Sequence, residues 1–244
     1  MRIKTLDQKW IKVKTNFSKR TWLKNWFKYG TRPEKLPQHL GQDLHLEEGW
    51  KWIHGGVQII KDVDLRETTT RLTAHGIKDL AMDLNLNLQI RPAEVTNDLQ
   101  ETAPFPFSTA KRIDVKGLMS NLFEIYPAHL PHAFIYITNR PLLFHKSTED
   151  IRGFSNFNLG ICIISHQEDE AELTAYYRAQ HEFAHLLGYM THHETWQVSG
   201  YEPTNECVMM GSENRNDPIC PRCSNALMAF WRGLEQKTGK RFSR

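Results

Sequence analysis

The run His181-Glu182-Phe183-Ala184-His185-Leu186-Leu187-Gly188 narrows what this chain can fold into more than any other feature of its sequence. Two histidines four residues apart on a helix project from one face about a turn apart, so their imidazoles can converge on one ion. Glu182 follows His181 directly. There a carboxylate lies beside such an ion without being forced to bind it, the place from which a base takes a proton from an activated water. Gly188 arrives three residues after His185, where a helix can stop and the chain can turn back to offer a third donor. The pattern therefore asks for a helix against a packed layer, with a return loop above it.

Three of the four cysteines, Cys207, Cys220 and Cys223, crowd into one short segment. Cys220-Pro221-Arg222-Cys223 has the form of a zinc knuckle, two thiolates held on one turn. The competing reading, a redox dithiol, lacks a thioredoxin-like strand ahead of the pair. Cys162 sits inside the apolar run 159–164 and reads as a buried core thiol, in reserve as a fourth ligand. The opening MRIKTLDQKW lacks the apolar segment and cleavage site of a secretory signal, and no stretch approaches the roughly 20 apolar residues that cross a bilayer. The expected location is cytoplasmic, where clustered cysteines bind metal more often than they form disulfides. The expectation is Zn2+ at two sites per chain, one catalytic and one structural. The remaining histidines, such as His75 and His166, have no ligand spacing.

A chain of 244 residues, 40% hydrophobic and 24% charged, has room for one sizeable core and an extra arm. Residues 1–35 carry eleven lysines and arginines against Asp7 and Glu34, interleaved with Trp10, Phe17, Trp22, Trp26 and Phe27. Such a segment could touch nucleic acid or an anionic membrane surface, but aromatics at near-helical spacing favour a helix packed on the body. We divide the chain into a basic aromatic extension, 1–45, and a folded domain, 46–244. Within that domain the patterning predicts strands at 57–60, 84–90, 133–138 and 159–165. It predicts helices at 64–83, 108–124, from about 168 to 188, and at 224–236. Strands alternating with helices describe an α/β (α+β) domain, a mixed twisted sheet over the helix that bears the histidines.

At these residues the sequence resembles the archaemetzincins among the metzincins, whose pattern is HExxHxxGxxHC, then Cys-x-Met, then Cys-x-x-Cys. Here it reads His181-Glu182-Phe-Ala-His185-Leu-Leu-Gly188, Cys207-Val-Met209 and Cys220-Pro-Arg-Cys223, within roughly residues 133–230. The resemblance implies a zincin fold with a small zinc-bound C-terminal part. Met209 takes the place of the methionine that lies under the metal. The family's third histidine falls at Thr191, so a one-residue insertion would make His192 the third catalytic ligand and put His193 in place of the family's first cysteine. The structural zinc would then be held by His193, Cys207, Cys220 and Cys223. His193 itself, Glu194 or another carboxylate are the alternative third catalytic ligands. The family also implies a zinc metallopeptidase: Glu182 is general base, the substrate is a peptide or protein, and an edge strand within 152–165 lines the cleft. A different class of function is a zinc-stabilised binding or regulatory module, touching nucleic acid through the basic arm without catalysis.

Overall fold

The near-continuous apolar runs of this chain form the middle of a sheet covered on both faces. The computed structural model describes residues 2–4, 10–12, 56–96, 108–109, 112–125, 133–143, 150–157, 160–189, 192, 207–209 and 219–243. Strands β1 (Arg2–Lys4) and β2 (Trp10–Lys12) pair antiparallel near the start of the chain. The elements that follow are β3 (Val57–Asp62), helix α1 (Glu67–Asp83) and β4 (Ile90–Thr96). Next come β5 (Ser108–Thr109), β6 (Arg112–Asp114), α2 (Val115–Ile125), β7 (Ala133–Thr138) and β8 (Leu142–Leu143). The chain continues with β9 (Asp150–Ile151), β10 (Gly153–Asn156), β11 (Ile161–Ser165), α3 (Glu172–Leu186) and α4 (Pro221–Thr238).

The main sheet runs in the order β10-β11-β7-β3-β4. Its last four strands are parallel, and β10 is an antiparallel edge strand paired with β11. Every residue of β3, β7 and β11 is buried, as expected of parallel strands with helices on both faces. Side chains alternate between two cores. Ile59, Ile135, Cys162 and Ile164 join residues of α1, α3 and α4 on one face. Ile60, Phe134, Tyr136, Ile161 and Ile163 join Val115, Leu118 and Leu122 on the other. Each such side chain removed from water contributes about 1.5–3 kcal/mol. A small sheet, β5-β6-β8-β9, lies beside α2.

Helices α1 and α3 pack side by side on the first face, and the contact closes at Gly76, where a Cβ would stand 2.3 Å from the Tyr176 carbonyl oxygen. This approach fixes α3 beneath the sheet. The ion pairs of Glu170 fix its start: the carboxylate accepts two hydrogen bonds of 2.7 Å from Arg178 and one of 2.8 Å from the Gln167 N–H. His166 Nδ1 lies 3.2 Å away and Arg152 Nε 3.6 Å. Burial works to raise the Glu170 pKa, but the hydrogen bonds from Arg178 and His166, the Arg178 charge and the Gln167 N–H outweigh it and hold the carboxyl far below its ordinary range.

Several expectations need correction. The alternating stretch 84–90 is not a strand. Helix α1 ends in a Schellman turn, with Asn85 at φ 56 and bonds from Asn85 N–H to the Met82 carbonyl and from Leu86 N–H to that of Ala81. Leu84 and Leu86 reach the core from this turn, and regular pairing begins only at Ile90. The helix expected from 108 starts at Val115, after β5 and β6. The edge strand expected within 152–165 is β10. Trp10 lies in a strand and not in a helix, while Phe17, Trp22, Trp26 and Phe27 fall outside the described residues. Among those residues no helix is long and apolar enough to cross a membrane.

Candidate metal centres

The last turns of α3 carry His181, Glu182 and His185, and the turn that follows decides where the third histidine goes. Gly188 N–H bonds to the His185 carbonyl and Tyr189 N–H to the Ala184 carbonyl, both at 2.9 Å, a complete Schellman motif. Gly188 takes φ +103, and a Cβ there would lie 2.9 Å from the Phe230 ring. Both the backbone angle and the lack of space require glycine. The reversal brings His192 back over the helix.

The Nε2 atoms of His181, His185 and His192 stand 3.1, 3.2 and 3.1 Å apart. Between neutral His181 and His185 this contact is not a hydrogen bond. His181 Nδ1 lies 2.6 Å from the Val208 carbonyl oxygen and His185 Nδ1 2.5 Å from that of Tyr189. A carbonyl only accepts, so both Nδ1 atoms carry the proton, and both Nε2 atoms present lone pairs to each other. Lone pairs that converge repel unless a cation sits among them. A zinc ion bound tetrahedrally at about 2.0–2.1 Å would separate its nitrogen ligands by about 3.3 Å, close to the spacing found. His181 is buried, whereas His185 and His192 are half-buried, so the cluster opens on one side.

Glu182 lies beside this cluster, its Oε1 3.9 Å from His181 Nε2. It is 7% exposed. Strand β10 holds it in place: Ser155 Oγ is 2.7 Å from the Glu182 carbonyl oxygen and 3.2 Å from its Oε2. A Cβ at Gly153 would come within 2.3 Å of the carboxylate carbon, so a larger residue there would displace the Glu182 side chain. Because side chains alternate along a strand, Gly153 and Ser155 face α3 while Phe154 packs on the opposite core.

The thiols of Cys207, Cys220 and Cys223 form a second group, with all sulfurs within 4.8 Å of one another. Cys220 is the N-cap of α4, Pro221 follows at the first helical position, and Cys223 falls in the first turn. The Cys207 and Cys223 sulfurs are 3.8 Å apart, the separation that bonds of about 2.3 Å to a tetrahedral zinc produce. Cys207 Sγ also accepts the N–H groups of Met209 and Cys220, at 3.4 and 3.3 Å. Burial, and then the two neighbouring sulfurs, push the Cys223 thiol far above its ordinary range, which is where a thiol that meets a cation as thiolate would stand without one. The Tyr189 hydroxyl sits 3.0 Å from Cys223 Sγ. Burial, and then the nearby cysteines, push this phenol well above its ordinary value.

The structure brings together His181, His185 and His192, and separately Cys207, Cys220 and Cys223. Met209 is fully buried next to the second group. His193 and Glu194 lie outside the described residues. Cys162 is not part of the thiol group: it lies in β11 opposite Ser155, fully buried, which removes it as a reserve ligand. Burial, followed by the charge of Glu182, raises its pKa well above the ordinary thiol value. Four participants had no mark in the sequence: Gly153, Ser155, the Val208 carbonyl and Tyr189. A glycine and a serine two apart in a strand that packs on the histidine helix are the only sequence signal for the first two.

Compared by sequence, the chain matches no family model and no curated protein. Compared by structure, it is similar to the archaemetzincin from Methanopyrus kandleri, with a TM-score of 0.51 and 15% identity over 74% of this chain and 96% of that one. At this identity the likeness shows a shared mixed α/β fold.

Proposed function

We propose that this chain is a zinc-dependent metallopeptidase whose folded domain spans 46–244, with 1–45 as an extension. The observation that carries the reading is the triangle of three imidazole nitrogens, two with their lone pairs fixed inward by carbonyls, beside a carboxylate held by an edge strand. Zinc held by His181, His185 and His192 would supply the Lewis acidity that polarises a carbonyl and lowers the pKa of a water to about 7. Cys207, Cys220 and Cys223 hold a second, structural zinc, with its fourth position taken by a donor such as His193. Three clustered thiols acting as ligands suit a reducing compartment, so we place the chain in the cytoplasm.

Glu182 takes the proton from the attacking water and returns it to the leaving amine. Ser155 meets Oε2, while Oε1 is the oxygen turned toward His181. Among the described residues strand β10 pairs with β11 on one side, and its other edge would offer backbone groups to an extended peptide laid down as an added strand. The half-buried His185 and His192 give that peptide access to the ligand cluster.

The test compares wild type with Glu182→Gln on a peptide library read by mass spectrometry. The variant keeps its zinc and loses about 10²–10⁴-fold in cleavage rate. Equal cleavage by the two proteins would sink the assignment of Glu182 as base.

A further inference from the structure

Resting on the reading that both clusters bind metal, we infer that the cysteine cluster positions the histidine cluster, through the Cys207-Val208 pair and Tyr189, so that filling the first site raises the metal affinity of the second. Two observations carry this. The carbonyl that takes the His181 Nδ1 proton belongs to Val208, whose neighbour Cys207 contributes its sulfur to the thiol group. The carbonyl that takes the His185 Nδ1 proton belongs to Tyr189, whose hydroxyl touches Cys223 Sγ at 3.0 Å. Each of the two helical ligands is thus oriented by a backbone oxygen whose own place is set at the thiol group.

The physical consequence concerns pre-organisation. A ligand imidazole binds metal well only when its ring is held at the right rotation and its proton kept on the far nitrogen, and losing the partner that does this costs about 10–100-fold in affinity. Both partners here lie outside helix and strand: Tyr189 follows the helix-ending turn, and Val208 lies in a turn. With metal on the sulfurs, Cys207 and Cys223 are locked, and the Val208 and Tyr189 carbonyls are locked with them. When thiolate Cys223 is bound to metal, the Tyr189 O–H donates to it, a charge-assisted bond stronger than the one to a neutral thiol. Tyr189 is therefore a positioning residue, and the coupling is reciprocal because it is a free energy between two binding events.

The experiment starts from the full chain, reduced and stripped of metal. One equivalent of Cd2+, a soft ion, fills the thiolates and is confirmed by its sulfur-to-metal charge-transfer absorption. Zn2+ is then titrated into the histidine site against a chromophoric chelator. Three proteins are compared: Cd2+-loaded wild type, Cd2+-loaded Tyr189→Phe, and the double variant Cys220→Ser/Cys223→Ser. Wild type binds this Zn2+ about tenfold or more tighter than the double variant, and Tyr189→Phe falls between them with its charge-transfer band intact. Equal affinity in the three overturns the inference. If the double variant does not fold, equal affinity of Cd2+-loaded wild type and Tyr189→Phe overturns it alone. Failure of Zn2+ to bind the histidines in any of the proteins would instead overturn the metallopeptidase reading.

Discussion

The histidine cluster and the cysteine cluster share neighbouring stretches of chain yet are built on opposite principles. The cysteines belong to the main hydrophobic core: Cys207 and Cys223 are at most 1% exposed, packed among Phe230, Trp231 and Leu227. The histidines sit at the edge of that core, two of them half-buried and open on one side. A metal site closed on all sides contributes to folding, and one left open on a side can accept a water and a substrate. The difference teaches that exposure, more than ligand type, is what sets the proposed structural site apart from the proposed catalytic one.

That contrast is easiest to break at Cys223. On the proposed reading, replacing it with Ser removes a ligand of the structural zinc, and thermal unfolding of the zinc-loaded chain is expected to show a loss of about 4–5 kcal/mol or more. A small change would make the cysteines ornamental. The matching change at the open site, His192→Ala, is expected to leave stability within about 1 kcal/mol. It lowers zinc affinity at the histidines by more than about 100-fold, beyond the loss of a ligand's hydrogen-bond partner.

The support beneath the open site titrates. A carboxyl whose pKa is depressed by folding stabilises above its unfolded value and loses that contribution as pH falls toward its folded one. Glu170 is such a group, with an ordinary value of 4.5 and a folded value far lower. Glu170→Gln is therefore expected to cost about 2–3 kcal/mol at pH 7, and the gap between variant and wild type closes progressively below the ordinary value. Denaturant unfolding at a series of pH values measures it, and a gap independent of pH would mean the network does not act through charge. The smallest expected effect is at Gly153. A methyl group driven against the Glu182 carboxylate pushes that side chain out of place, costing about 1–3 kcal/mol. Cleavage falls more than zinc affinity does, because Glu182 moves while the histidines stay.

What could be read in the sequence follows the same division. His181, Glu182, His185 and Gly188 lie within one helical turn and its cap, where local spacing fixes geometry, and the apolar runs of β7 and β11 mark buried strands directly. The stretch 84–90 misled because its leucines reach the core from a capping turn, and alternation alone does not distinguish that from a paired strand. Gly153 and Ser155 were out of reach because their importance arises from the packing of β10 against α3, between residues 27 or more apart in sequence. Tyr189 was hidden because its backbone serves one cluster and its side chain the other.

Zinc K-edge X-ray absorption, with the metal counted per chain, tests the two-site account most directly. Two zincs per chain are expected, with a scattering shell shared between nitrogen or oxygen at about 2.0 Å and sulfur at about 2.3 Å. A single zinc surrounded by sulfur alone would leave the histidine triangle without its ion and contradict the account.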